Sequence, residues 1–130
     1  MRKVDHVGIV VRSLDNALGI YQRLGLSVEK IVPFRLDDGD EIRVAFLPVG
    51  EGIDLELIES PRMLDGGAEP LNHIALAVAD IDHELARLKE AGTPLEDEQP
   101  RRGVSSPRIA FLDAEAADGV RIELAEKPST

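Results

Sequence analysis

Alternating apolar and polar positions predict a strand at the start of each half of the chain. Residues 4–11 and 72–78 both alternate, with β-branched side chains concentrated at every second position. Ser13 and Asp80 follow as candidate helix N-caps, and each precedes apolar residues spaced for one buried helical face. We therefore expect two helices, each covering one face of a sheet.

Each helix precedes three further strands. Weak alternation predicts one short strand, and turns rich in glycine and proline indicate a hairpin after it. The expected strands are 27–33, 41–47 and 53–59 in the first half, and 94–97, 107–113 and 119–126 in the second. Gly25 and Gly92 mark the helix ends, near Leu24 and Ala91, because glycine favours the left-handed helix stop.

The two halves are copies of one module. A shift of 67 residues lays residues 5–11 on residues 72–78, and the final strands match at the same offset. We therefore expect one domain, 1–130, built of a first module over 1–60, a linker over 61–70 and a second module over 71–130. The fold class is α+β, with two paired βαβββ modules that form a curved eight-stranded mixed sheet and carry their helices outside.

Strand parity brings four chemistry-bearing residues to the sheet face away from the helices. His6 and Glu56 of the first module recur at an offset of 67 as His73 and Glu123 of the second. A lone histidine or glutamate is usually structural, but here duplication with divergence has kept all four. Paired modules would converge them on one cleft, as two nitrogen and two oxygen donors suited to a divalent transition metal.

Composition narrows the chemistry further. The chain has 15 Lys and Arg against 25 Asp and Glu, a net charge of −10, and no cysteine. Any metal must therefore be held by histidine and carboxylate. The negative charge and the four aromatic residues argue against nucleic acid as a partner. The apolar run at 7–11 is too short for a membrane span, so we expect a soluble, cytoplasmic protein with no membrane partner.

Two modules that each supply one histidine and one glutamate resemble the vicinal oxygen chelate superfamily, which includes glyoxalase, bleomycin-resistance and dioxygenase proteins. Residues 5–9, 43–50, 55–59 and 97–101 look most like the methylmalonyl-CoA epimerase family. The resemblance covers nearly the whole chain. It implies a metal-dependent epimerase that removes the proton α to the thioester carbonyl of methylmalonyl-CoA through a metal-stabilised enolate.

The resemblance also implies roles for residues. His6, Glu56, His73 and Glu123 would hold the metal, with Co²⁺ the first expectation and Zn²⁺, Ni²⁺ or Mn²⁺ also possible. Glu123 is the stronger candidate for proton transfer, and Glu56 the second. The identity of the second base stays open, since some epimerases carry a catalytic glutamate where this chain has Arg43. A homodimer is expected, and the modules could pair within one chain or across that dimer.

An acyl-CoA or other thioester substrate needs local cations in an acidic protein. The candidates are Arg43, Arg101, Arg102 and Arg108. Two alternatives remain: glyoxalase I, which acts on a glutathione hemithioacetal, and a non-catalytic small-molecule-binding member of the superfamily. An iron dioxygenase is disfavoured, because a centre of two histidines and one carboxylate needs open positions and Glu56 offers a fourth ligand.

Overall fold

The order strand, helix, strands occurs twice in the computed structural model, which describes residues 2–128. The elements are β1 Lys3–Val11, α1 Leu14–Arg23, β2 Lys30–Arg35, β3 Glu41–Gly50, β4 Ile53–Glu59, α2 Pro61–Asp65, β5 Leu71–Val78, α3 Ile81–Glu90, β6 Ile109–Phe111 and β7 Ile122–Glu126, with a 3-10 helix at Ala114–Ala117 between the last two. No helix within residues 2–128 is long and apolar enough to cross a membrane.

The chain divides into two compact units. The N-terminal unit is His6–Asn72, and the C-terminal unit joins the residues from His73 onward to those up to Asp5. In the N-terminal unit β1 pairs with β4 in parallel, whereas β3 pairs with β4 and with β2 in the antiparallel sense. In the C-terminal unit β5 pairs with β7 in parallel and β6 pairs with β7 antiparallel. The same parallel pairing of first and last strand therefore recurs in both units.

Each unit buries an apolar cluster between its long helix and one face of its strands. Leu14 of α1 packs with Ala45, Leu47 and Leu57 of the strands, and all four are fully buried. Ile81 and Leu85 of α3 pack with Val78, Ala110 and Leu124 of the strands. Leu57, Val78 and Leu124 lie where strand parity predicts the helix-covered face, and Ile9 and Val11 of β1 pack against the first cluster. The predicted orientation of the first and last strands is therefore confirmed at these positions.

The predicted ends of both long helices are confirmed. Ser13 Oγ accepts a hydrogen bond from the Asn16 N–H at 3.2 Å, and Asp80 accepts the equivalent bond at the start of α3. At the C-terminal ends Gly25 and Gly92 have φ of 89° and 79°, a left-handed conformation that glycine adopts without strain.

Two expectations about strands are wrong. The residues the structure describes form seven strands, not eight, because 94–97 makes only an isolated bridge from Leu95. Pro94 has no N–H to give to a ladder, and the Asp97 carboxylate accepts the Phe111 N–H at 2.9 Å. Strand parity also predicts Ile74 on the helix-covered face with Leu76 and Val78, but Ile74 is 36% exposed and lies outside the cluster that α3 covers. The expected linker begins with the short helix α2.

The last residue of β4 binds the start of α1. Glu59 Oε2 accepts the Leu14 N–H at 2.8 Å, and Arg43 donates two hydrogen bonds to the same carboxylate at 3.0 and 3.1 Å. Leu14 is the first residue of α1, so its N–H has no acceptor within the helix. The strand end therefore supplies that acceptor, and with it a negative charge at the positive end of the helix dipole.

The C-terminal unit repeats this contact at Glu126, the last residue of β7. Glu126 Oε2 accepts the Ile81 N–H at 3.0 Å and lies 3.5 Å from Arg108. Arg108 also donates to Asp82 at 2.9 Å, in the first turn of α3. We call each of these carboxylate contacts, Glu59 to α1 and Glu126 to α3, a strand-to-helix clamp. Duplication has preserved it in both units.

We predict that Glu59→Gln lowers the free energy of unfolding by about 1 kcal/mol, because the amide retains an acceptor oxygen but loses the charge that faces Arg43 and the helix terminus. For a chain of this size that is roughly 4 °C in Tm. Thermal unfolding followed by circular dichroism measures it, with Glu29→Gln at an exposed position as the control. Equal Tm values for the two variants would contradict the clamp.

We also predict that this difference depends on pH. The hydrogen bonds from Arg43, followed by that from the Leu14 N–H, lower the pKa of Glu59 below its usual value. Its contribution to stability is therefore complete above the unfolded-state pKa of about 4.3 and is lost as pH falls through the lower folded-state value. Unfolding measured from pH 7 downward should show the wild-type and Glu59→Gln curves converging in acid. A difference in stability between the two proteins that stays constant with pH would mean that the charge of Glu59 is not its cause.

Candidate functional site

The N-terminal unit holds a buried His–Glu pair on the sheet face away from α1. His6 Nε2 lies 3.1 Å from Glu56 Oε2, and the two side chains are 1% and 4% exposed. In the ladder of β1 with β4, Gly8 stands opposite Glu56, and His6 lies two residues earlier on the same face of β1. The pairing of the first and last strand of the unit therefore brings the imidazole and the carboxylate together.

The C-terminal unit repeats this pair. His73 Nε2 lies 3.2 Å from Glu123 Oε1, with side chains 4% and 5% exposed. Ala75 stands opposite Glu123, as Gly8 does in the first copy. Each unit therefore joins the two site residues that its own sequence predicts, in the same diagonal arrangement.

A phenylalanine flanks each glutamate on its other side. Phe46 pairs with Glu56 in the register of β3 with β4, and Phe111 pairs with Glu123 in that of β6 with β7. The Phe111 ring meets the His73 ring edge to face, with centroids 5.3 Å apart and planes at 87°. Sequence reasoning did not assign these rings to the site, although their match between the two copies was the available signal.

The chemistry of each pair suits a metal ion. An imidazole nitrogen and a carboxylate oxygen are both ligands for divalent transition metals. A buried carboxylate is costly unless a cation or hydrogen-bond donors compensate it. One pair supplies only two donors, fewer than the four that such ions take in protein sites.

Two of the predicted substrate-binding arginines lie on the helix side of their strands. Arg43 shares a strand face with the buried Ala45 beneath α1 and pairs with Glu59. Arg108 precedes β6, two residues before Ala110 in the cluster beneath α3, and pairs with Glu126. Parity thus places both guanidinium groups at the helix termini, on the face opposite the His–Glu pair of their own unit.

Two arginines of the C-terminal unit lie against Phe111. Arg101 donates to Asp97 at 3.0 Å, and its guanidinium carbon is 5.4 Å from the centroid of the Phe111 ring. Arg102 is exposed in the following loop. Arg121, which sequence reasoning missed, lies closer, with its guanidinium carbon 3.7 Å from the same centroid. The C-terminal unit therefore gathers positive groups beside the ring that contacts His73.

A duplicated strand–helix–strands unit with one buried His–Glu pair per copy defines the class of this protein. The model of the Glyoxalase/Bleomycin resistance protein/Dioxygenase superfamily matches residues 5–111. The chain belongs to this superfamily, which confirms the resemblance drawn from its residues. The expected α+β fold class is confirmed, because the strands and helices of both units match the fold of this superfamily.

Known relatives resemble the chain over nearly its whole length. The uncharacterized protein YqjC of Bacillus subtilis is 32% identical over 97% of this chain and 93% of its own. The solved methylmalonyl-CoA epimerase of Mycobacterium tuberculosis is 33% identical with a TM-score of 0.80, covering 98% of this chain and 88% of its own. A variant of the Streptomyces coelicolor enzyme, in complex with 2-nitronate-propionyl-CoA, is 27% identical with a TM-score of 0.82, covering 98% and 96%.

Proposed function

We propose that this protein is a metal-dependent isomerase that epimerises methylmalonyl-CoA by removing the proton α to the thioester carbonyl. The observation that carries the proposal is the buried His–Glu pair that occurs once in each copy of the module. Its support is membership of the superfamily, whose members usually bind a divalent metal, together with full-length similarity to solved epimerases.

The proposed metal ligands are His6, Glu56, His73 and Glu123. Neither pair alone offers enough donors for a transition-metal site, whereas both together offer two nitrogens and two oxygens. Co²⁺ is our first choice of ion, with Zn²⁺, Ni²⁺ or Mn²⁺ compatible with the same donors. When bound, such an ion polarises a carbonyl oxygen and stabilises the negative charge that develops on it as the α-proton leaves.

The two glutamates are proposed to move the proton. Epimerisation takes a proton from one face of the α-carbon and returns one to the other face, so it needs a base on each side. Glu56 and Glu123 are equivalent positions of the two copies, and each carboxylate is held within hydrogen-bond distance of its own imidazole. We assign the principal role to Glu123 and the second to Glu56.

The CoA part of the substrate carries several negative charges, which an acidic protein must meet with local cations. Arg101 and Arg102 lie in one partly exposed loop and are the proposed contacts for the phosphates of CoA.

We expect the active protein to be a homodimer. Light scattering of the metal-loaded sample measures its molecular mass directly.

We predict one divalent ion per chain. Metal analysis after loading with Co²⁺ should give a stoichiometry near one for the wild type, and His6→Ala and His73→Ala should each reduce binding of that ion by at least about 100-fold in Kd, because each removes one of four ligands. His83→Ala, an exposed histidine on α3, is the matched control. Two ions per chain, each lost with one histidine only, would show that the pairs bind separately.

We predict that the metal-loaded protein inverts one epimer of methylmalonyl-CoA in D₂O and places deuterium at the α-carbon. Glu123→Gln should lower kcat by about 10²–10⁴-fold, the usual contribution of a catalytic base. Loss of one base should also separate proton exchange from inversion. Glu56→Gln should still exchange deuterium into one epimer of the substrate but should convert that epimer into the other far more slowly. Nuclear magnetic resonance of recovered substrate measures both, and Glu29→Gln serves as the control.

Three results would contradict this function. A loaded protein that neither inverts nor deuterates methylmalonyl-CoA is not its epimerase. Formation of lactoylglutathione from methylglyoxal and glutathione, without that exchange, would identify a glyoxalase. The protein would instead be a non-catalytic, small-molecule-binding member of the superfamily if it retained no divalent ion and its Tm did not change on addition of Co²⁺ or Ni²⁺.

A further inference from the structure

Arg121 lies on the same strand face as Glu123. Its carbonyl oxygen accepts the Ile74 N–H at 3.2 Å, which continues the ladder of β5 with β7 by one residue. Side chains two residues apart on a strand face the same side, so Arg121 stands beside the His73–Glu123 pair and away from the helix. It is therefore a cation on the functional face of the C-terminal unit.

Two contacts fix the Arg121 guanidinium in position. Its guanidinium carbon lies 3.7 Å from the centroid of the Phe111 ring, and that ring is perpendicular to the His73 ring beside it. Its Nε and one terminal nitrogen donate to Glu96 at 3.3 and 2.9 Å. The ring keeps the guanidinium on the functional face, and the fork of donors that Glu96 occupies is the one that matches the two oxygens of a substrate carboxylate.

The two copies of the module differ in charge at this position. The residue 67 positions before Arg121 is Asp54, which pairs with His6 in the register of β1 with β4. The histidines and glutamates are the same in both copies, but the residue two positions before the glutamate is basic in one and acidic in the other. The C-terminal copy therefore carries a cation beside its His–Glu pair at the position where the N-terminal copy carries an acid.

We propose that Arg121 is a specificity-determining residue that binds the carboxylate of the substrate's acyl group. This inference rests on the proposed function and names the part of the substrate that the site distinguishes. Arg121 attracts the free carboxylate to the C-terminal unit, and the corresponding residue of the other copy, Asp54, has the wrong charge to do the same.

Glu96 holds Arg121 in the absence of substrate. The Glu96 side chain is 41% exposed, and exposed ion pairs contribute little net stability. A substrate carboxylate can therefore replace Glu96 or share the guanidinium with it at small cost. Glu96 competes with the substrate, so its removal should strengthen the binding of an anionic acyl group.

The test is calorimetric binding of two thioesters to the Co²⁺-loaded full chain. Methylmalonyl-CoA carries the carboxylate, and isobutyryl-CoA has a methyl group in its place with the same CoA. We expect Arg121→Gln to weaken methylmalonyl-CoA binding by about 10–100-fold and to leave isobutyryl-CoA within about twofold. Glu96→Gln should tighten methylmalonyl-CoA binding severalfold. Arg23→Gln, an exposed arginine at the end of α1, should change neither affinity.

Each other result has a defined meaning. Equal weakening of the binding of both thioesters by Arg121→Gln would overturn the inference, since the arginine would then bind the CoA part. Weaker binding of methylmalonyl-CoA by Glu96→Gln would also overturn it, since the ion pair would then only maintain the local structure. Absence of binding by both esters overturns it as well. Binding of methylmalonyl-CoA that depends on Arg121, without inversion or exchange, would refute the proposed epimerase and leave carboxylate recognition standing. Metal content is measured for every variant, so loss of the ion cannot imitate loss of recognition.

Discussion

The parallel pairing of the first and last strand of each module is the constraint on which the sites depend. It places a histidine and a glutamate from distant parts of the sequence 3.1 and 3.2 Å apart in the two copies. A slip of one residue would turn the glutamate toward the apolar cluster below the helix, where a charge is costly. The strand-to-helix clamps oppose such a slip, because Glu59 and Glu126 reach a helix N-terminus only in the observed register.

Each last strand uses two glutamates for different purposes because they lie on opposite faces. Glu56 and Glu59 are three residues apart, an odd spacing, so one meets an imidazole and the other a helix terminus. The partners decide what each carboxylate does. Glu59, paired with Arg43 and an N–H group, is held ionised and structural. Glu56, buried 3.1 Å from the His6 imidazole, is the carboxylate that we propose as a metal ligand and base.

Periodicity and duplication predicted much of this molecule, and the failures have local causes. The four His and Glu residues were predictable because strand alternation and the repeat both select them. The absence of a strand at 94–97 was not predictable. There the Asp97 side chain accepts the Phe111 N–H in place of a backbone carbonyl, and the alternation of apolar and polar residues gives no sign of such a bond. Arg43 was predicted to bind the substrate because of its charge, although its spacing of two residues from Ala45 already places it on the helix-covered face of β3. Arg121 was not predicted as a site residue because its counterpart in the first module is Asp54, so the comparison of the two copies does not select it.

That break in the repeat suits the chemistry proposed for the site. The two epimers of a methylmalonyl thioester share a carboxylate and a carbonyl, and they exchange the positions of a hydrogen and a methyl group on the α-carbon. Bases on both faces serve either epimer, so the residues that move protons gain from remaining equivalent in the two copies. The carboxylate stays in one place throughout inversion, so the residue proposed to bind it needs no equivalent in the other copy. On this proposal the two demands explain why the glutamates are alike in the two copies while Arg121 corresponds to Asp54.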